Sequence, residues 1–339
     1  MAKKFAIWFV ANMNDAMFNP PPEQKSQFAA FVELKEELNR RNVECHTYDI
    51  YERENRIPDI VLFHDIPRVP LSKILGDSVD KIKKHVILME SSMIIPRNWD
   101  LNRHKEFDKI FTWDSNICDG KKYFLTYYSF DLTTPVCTAV DRPRLCIIIA
   151  GNKRSALAGE LYSKRIEIIR WFAKNHPDDL DFFGHGWEMY TFWHPRWTRH
   201  LNRLNFLHPL RRAMAEKFPT YKGSISDKNR IMQKYKFSIC YENTSDKTGY
   251  VTEKIFDCFF SGCIPIYLGA KNIDELIPED CFLDARKFLS FEDMYRRISE
   301  MSDEERAGYI RHIEAFLKSE DAKKFSARAF ARNIADAIL

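Results

Sequence analysis

Between Tyr235 and Gly269 the chain sets out groups that could hold a negatively charged ligand: a carboxylate and an amide, Glu242 and Asn243, then Tyr250, then Thr252, Glu253 and Lys254. The apolar run Phe237 to Tyr241 reads as a buried strand, and its end carries Glu242 and Asn243 into a polar loop. Thr252 is a good N-cap for the helix that follows, which puts Glu253 and Lys254 in its first turn. Free backbone N–H groups and the helix dipole favour an anion there, so a lysine at that place suggests an arriving negative ligand. The same two residues also fit an ordinary pair of first-turn surface charges. Ile255, Phe256, Phe259 and Phe260 recur at helical spacing and bury the other face, and Gly262 ends the helix before the apolar strand Ile264 to Leu268.

The order YENxxxxxGYVTEKIFDxxxxGxxPIYxG in this stretch resembles the donor-binding signature of the α1,3/4-fucosyltransferases, glycosyltransferase family 10. That resemblance implies a GT-B fold, two Rossmann-like domains facing across a cleft, with GDP-fucose held mainly by the C-terminal one. It implies that Glu242, Asn243, Tyr250 and Thr252 belong to the donor site, that Glu253 lies at the fucose and that Lys254 meets the diphosphate. The family also carries an arginine near the start of an upstream helix that pairs with the donor phosphates, and Arg165 is the nearest match. A guanidinium suits phosphate because it stays charged and offers parallel donors. Lys153, Arg154, Lys164 and Arg170 compete for the role and are read as solvated. Alanine at Lys254 or Arg165 is expected to weaken GDP binding while the chain still folds.

An inverting sugar transfer needs a base for the acceptor hydroxyl, and a carboxylate within hydrogen-bond reach is the simplest one. The apolar strand Val86 to Met89 ends in Glu90, at the carboxyl edge of a sheet where ligands bind. Glu90 is therefore the candidate base, and the resembled family has its proposed base on a similar strand-end glutamate. A glutamate capping the next turn is the plain alternative. The glycine turn Phe183-Gly184-His185-Gly186 is similar to one in the same family, but His185 reads as a polar loop residue.

No DxD pair follows a strand at a plausible site, so no metal ligands and no required cofactor are expected; a divalent ion would at most stimulate. Lys254, Arg165 and the helix N-terminus would carry the leaving-group charge instead. The eight cysteines form no CxxC pair and mostly sit in apolar runs, which argues for core thiols over zinc or disulfides. The segment from Trp187 to Arg212 interleaves Tyr190, Phe192, Trp193 and Trp197 with Arg196, Arg199, Arg203, Arg211 and Arg212. It fits an insertion packed on its own domain, or a contact with acceptor or membrane.

Strands alternate with helices along the whole chain, the pattern of mostly parallel sheets. Expected strands are Phe5 to Val10, Val43 to Tyr48, Ile60 to His64, His85 to Met89 and Lys109 to Trp113, with a helix from about Glu23 to Arg41. After a pause around Thr133 to Arg144, a second series follows: strands at Leu145 to Ala150, Leu180 to Phe183, Phe237 to Tyr241 and Ile264 to Leu268, with a helix from about Leu157 to Asn175. The expected division is an acceptor-side α/β domain over 1–140 and a GDP-fucose-binding α/β domain with terminal helices over 141–339. Its 339 residues are enough for two cores. With 52 basic and 48 acidic residues the charge is mixed, which gives no general argument for nucleic acid.

No apolar run reaches the roughly 20 residues of a membrane span. A cytoplasmic location is expected, with basic clusters able to hold the chain against the inner membrane surface. The expected partners are GDP-fucose and a glycan acceptor, N-acetyllactosamine-type by family default or a bacterial surface polysaccharide, joined through an α1,3 or α1,4 linkage. The competing readings are a GT-B transferase using another nucleotide sugar and a catalytically silent glycan-binding protein of the same fold.

Overall fold

A computed structural model describes residues 2–11, 13–21, 25–138, 141–225, 227–245 and 247–339. Its first half is a six-stranded parallel sheet made of β1 (Lys3–Trp8), β2 (Val43–Thr47), β3 (Ile60–His64), β4 (Lys83–Leu88), β5 (Lys109–Thr112) and β6 (Tyr123–Leu125), in the order β2-β1-β3-β4-β5-β6. Its second half is a five-stranded parallel sheet of β7 (Arg144–Ile149), β8 (Leu180–Phe183), β9 (Tyr235–Tyr241), β10 (Ile264–Leu268) and β11 (Leu283–Asp284), in the order β11-β10-β9-β7-β8. Both are parallel because each strand returns through a crossover, and strands buried on both faces read as continuous apolar runs. Ile60 to Phe63 and Phe237 to Cys240 are such runs, with every side chain buried.

The order of each sheet reverses once, between β1 and β3 in the first and between β7 and β9 in the second. A reversal opens a crevice at the carboxyl ends of the two strands, because their following segments leave toward opposite faces. In the second sheet that crevice lies between Ile149 and Tyr241. The helices α1 (Lys25–Arg40), α2 (Tyr162–Asn175), α3 (Glu253–Phe260) and α4 (Asp303–Lys318) cover the sheets. The expected helix at 23–41 begins in residues outside those described. The helix expected from Leu157 begins at Tyr162, and the preceding residues run as loop, with Leu161 N–H bonded to Asn243 O at 3.1 Å.

The last helix, α5 (Ala327–Ile338), departs from the expected division at 140/141. Its buried face, Phe330, Ala331, Ile334, Ala335 and Ile338, belongs to the core of the first sheet together with Phe31, Leu34 and Leu38 of α1. Phe31 and Phe330 meet edge to face at 5.6 Å, and Arg41 pairs with Asp336 at 2.6 Å. The physical reason is the helix's wide apolar stripe, which α1 needs as a cover. The chain therefore crosses twice between the halves, and the two crossings run side by side: Phe130 N–H bonds Phe325 O at 2.8 Å and Ala327 N–H bonds Phe130 O at 2.9 Å. The expected linker is not slack where it is described. Arg142 is buried, and its guanidinium donates to the carbonyls of Cys137, Gln233, Tyr235 and Ser261.

Candidate active site

Glu90 leaves the carboxyl end of β4 on a heavily braced turn. Asp65, just past β3 in a left-handed conformation (φ 60°), accepts Met89 N–H at 2.9 Å and Glu90 N–H at 3.2 Å on one carboxylate oxygen. Fully buried Asn98 donates to that same oxygen at 2.6 Å and accepts Ile66 N–H at 2.9 Å. Trp99 donates to Glu90 O at 3.1 Å, while Trp113 and Tyr128 donate to Met89 O at 2.8 and 2.9 Å. Such a turn has little freedom, so the Glu90 side chain starts from a fixed base. Burial first, and the nearby Asp65 carboxylate second, push the Glu90 carboxyl above its ordinary value. The bracing role of Asp65 and Asn98 is not legible in the sequence, because a lone Asp after a strand and a lone Asn carry no motif.

From the second half, Tyr250 reaches across. Its hydroxyl donates to Glu90 Oε2 at 3.1 Å and accepts from Asn243 Nδ2 at 3.3 Å. The ring packs on Trp113 at 4.9 Å. This contact requires Gly249, which has φ 84° and lies so close to the first half that a Cβ would fall 2.3 Å from Trp113 O. Any larger residue would separate the halves at this point.

Arg165 sits in the first turn of α2, packed at the reversal point of the second sheet. It is 7% exposed and donates to Tyr241 O at 2.6 Å, Glu242 O at 2.8 Å and Asn243 Oδ1 at 3.2 Å. Burial pushes its guanidinium below the usual value, and no carboxylate is within ion-pair distance among the described residues. A buried cation held by carbonyl dipoles and the Tyr162 ring, 5.2 Å away, with no carboxylate paired to it directly, favours an anion beside it.

Glu242 departs from its expected place among the donor contacts. It has no exposed surface; both oxygens are taken by Thr252, whose N–H donates at 2.8 Å and whose hydroxyl lies at 2.8–2.9 Å, and by Lys254 Nζ at 2.9 Å. It is a positioning residue that fixes the start of α3. Thr252 departs too: it stands at the N-cap position, but its hydroxyl turns to Glu242 and does not cap the helix. Lys254 thus has a buried counter-charge of its own, without any ligand. Burial would lower its pKa, but Glu242 and Glu253 outweigh this and raise it, so Lys254 stays charged. An ammonium has three donors, and Glu242 and Thr252 Oγ1 (2.8 Å) occupy two of them. Glu253 Oε1 lies 3.7 Å from the same nitrogen.

Seven of the eight expected residues border one cleft: Glu90, Arg165, Asn243, Tyr250, Thr252, Glu253 and Lys254. Glu242 alone lies beneath its surface. Tyr128, Lys153 and the turn Ile149 to Gly151 complete the wall. Lys153 corrects an expectation: it lies on the loop after β7, not on a helix face, and is exposed to the cleft. Lys164 and Arg170 do keep to solvated pairs, with Glu167 at 2.6 Å and Glu216 at 2.7 Å. His185 is exposed and lies outside the cleft wall. Burial would raise the Glu253 carboxyl, but the Lys254 and Lys228 ammoniums hold it below its ordinary value. The two glutamates of the cleft are thus pushed apart, Glu90 toward a base that takes up protons easily and Glu253 toward a permanent anion.

Among the described residues no group of three or more His, Cys, Asp or Glu could hold a metal ion. The eight cysteines are free thiols, six of them buried in the cores. No helix among the described residues is long and apolar enough to cross a membrane.

Comparison with known proteins bears on both halves. Residues 189–329 match the family model for glycosyltransferase family 10 (fucosyltransferase), C-terminal part. An α-(1,3)-fucosyltransferase of Helicobacter pylori is 39% identical over 70 residues, which is 21% of this chain and 14% of that protein. An α-(1,4)-fucosyltransferase of Arabidopsis thaliana is 37% identical over 73 residues, 22% of this chain and 18% of its own length. The chain thus aligns with less than a fifth of either relative. Among solved structures, an α1,3-fucosyltransferase superposes with a TM-score of 0.60 at 15% identity, covering 99% of this chain and 90% of that one. An α-glucosyltransferase bound to UDP and DNA superposes with a TM-score of 0.58 at 12% identity, over 99% of both chains. Likeness at these identities concerns the fold, which is GT-B. Residues 189–329 thus resemble the C-terminal part of the glycosyltransferase family 10 fucosyltransferases, within a chain whose fold throughout is GT-B.

Proposed function

We propose that this chain transfers fucose from GDP-fucose to a glycan hydroxyl, with inversion at the anomeric carbon, as an α1,3/4-fucosyltransferase. The observation that carries the reading is the Glu90–Tyr250–Asn243–Arg165 chain of hydrogen bonds, which joins a carboxylate of raised pKa in one half to a buried guanidinium in the other that has no carboxylate within ion-pair distance among the described residues. As the acceptor oxygen attacks, its proton passes to Glu90 and the bond from the anomeric carbon to phosphate breaks on the opposite side. The diphosphate's growing charge meets Arg165, Lys254 and Lys153. Glu253 sits where it can stabilise positive charge developing on the sugar ring. The cleft has a volume of about 210 Å³, below the roughly 300–1,000 Å³ that encloses a drug-sized ligand. In this arrangement it fits the sugar and diphosphate rather than the whole donor.

The family match at 189–329 supports fucose as the sugar, and the acceptor is proposed to be an N-acetyllactosamine-type or surface-polysaccharide glycan. The chain would work in the cytoplasm, at the inner face of the membrane. A thermal-shift panel tests the donor: GDP and GDP-fucose at about 100 times Kd should add about 2.7 kcal/mol of stability while UDP adds none. Equal shifts from GDP and UDP would favour the alternative of another nucleotide sugar.

The charge arrangement also supports transfer without a required metal. With two buried or half-buried cations and one exposed lysine facing the leaving group, turnover should persist in excess EDTA. Loss on chelation, restored by manganese or magnesium, would contradict this. The pH profile follows from Glu90, which must be ionised to accept a proton. Activity should therefore fall as pH drops through a value above the ordinary one for a glutamate. Asp65→Asn keeps an acceptor oxygen for the turn but removes a like charge, so this acid limb should move to lower pH. An unmoved limb would detach Asp65 from the base.

A further inference from the structure

The stretch Met189 to Ala215 holds five arginines and three histidines with neither aspartate nor glutamate, in a chain otherwise nearly balanced in charge. Its fold sorts these residues by face. Arg196–Arg203 is a 3-10 helix with three residues per turn, so Trp197, His200 and Arg203 stack along one edge and Thr198 and Leu201 along another. Trp197 is 66% exposed and Thr198 is 9% exposed, which fixes the edge facing solvent. Phe206 follows at 76% exposed, then Leu210 on the short helix His208–Ala213, and Met214 one turn further at its C-cap. Arg211 turns inward instead, donating to the carbonyls of Tyr190 and Asn202, and so pins the segment to its domain. Arg199, Arg203 and Arg212 are exposed and have no carboxylate partner among the described residues; the Arg196 side chain lies outside them.

We propose that this segment docks on an anionic lipid bilayer, with Trp197, Phe206 and Leu210 entering the headgroup boundary and Arg199, Arg203 and Arg212 meeting lipid phosphates. The combination decides the occupant. A polyanion in water would use the arginines but leave large exposed apolar side chains unmatched, and an apolar protein partner would leave the arginines unpaired. An anionic membrane surface takes both. The segment adjoins the transfer cleft: Asn152 and Arg154 line a neighbouring hollow with Tyr190, Trp193 and Met214, while Gly151 and Lys153 line the cleft itself. Docking would therefore bring the cleft beside the bilayer, where a lipid-linked glycan presents its hydroxyls. The surface stands apart from the reading of the chain as a transferase, since vesicle binding needs neither donor nor turnover.

The test is flotation of the full chain with vesicles of phosphatidylcholine alone or with 30% phosphatidylglycerol, alongside duplex DNA as a lipid-free polyanion. Binding is expected only to the anionic vesicles. Each of Arg199→Gln, Arg203→Gln and Arg212→Gln should weaken it about five-fold. Trp197→Ala with Phe206→Ala should weaken it at least ten-fold even at low salt, with melting temperature and turnover on a soluble acceptor unchanged. The proposal is overturned by equal affinity for neutral and anionic vesicles, by undiminished vesicle binding of the Trp197/Phe206 variant, or by DNA binding as tight as vesicle binding.

Discussion

Replacing Glu90 with glutamine is expected to lower turnover by about 10²- to 10⁴-fold, the usual worth of a general base, while GDP-fucose affinity stays near that of the parent. Glutamine keeps the size of the side chain and an oxygen for the Tyr250 hydroxyl, which lies 3.1 Å from Glu90 Oε2. It cannot take up the acceptor proton. On the proposed reading the donor is held from the other half, so its binding should not follow activity down. The rival is Glu253, on the same cleft wall. Its carboxyl is held below the ordinary value, a poor starting point for accepting a proton, and Glu253→Gln should affect donor binding as well as rate. Near-parental turnover in Glu90→Gln would transfer the base role to another carboxylate.

Lys254→Ala should produce two losses at once. GDP affinity should fall by the worth of one charge-assisted contact, about 1.5–3 kcal/mol, or roughly ten- to a hundredfold. Stability should fall as well, contrary to the expectation from sequence that folding survives, because Glu242 would remain fully buried without its cation. Breaking one side of a buried pair costs about 3–5 kcal/mol. The double variant Glu242→Gln with Lys254→Met separates the effects: denaturant melts should recover most of the lost stability, while calorimetry still finds weak GDP binding. Parental GDP affinity in the double variant would remove Lys254 from the phosphate site.

How far the sequence could be read follows from what each element depends on. Strands buried on both faces announce themselves as apolar runs, so Ile60 to His64, Leu180 to Phe183 and Ile264 to Leu268 are found at their expected bounds. The edge strands Tyr123–Leu125 and Leu283–Asp284 are two or three residues long and carry no such run, and both escape notice. The position of the C-terminal helix escapes for another reason: its amphipathic face says that it must be covered, not by which half. The site shows the same divide. Glu90 is legible because it ends an apolar strand, and the residues from Glu242 to Lys254 because they form one ordered stretch. That Glu242 lies beneath the cleft while Asn243 borders it depends on which way two adjacent side chains point. The braces Asp65 and Asn98 act on the backbone of Glu90 from 25 and 8 residues away, a relation that only the folded chain establishes.

The central claim, transfer of fucose from GDP-fucose by a base in one half acting on a donor in the other, is tested most directly by incubating the chain with GDP-fucose and a panel of glycan acceptors. GDP release is followed, and the product's anomeric configuration and linkage are read by NMR. The account predicts GDP release that depends on the acceptor, and a fucoside whose anomeric configuration is opposite to that of the donor, joined through an α1,3 or α1,4 bond. Retained configuration, or tight GDP-fucose binding with no acceptor-dependent release across the panel, would contradict it.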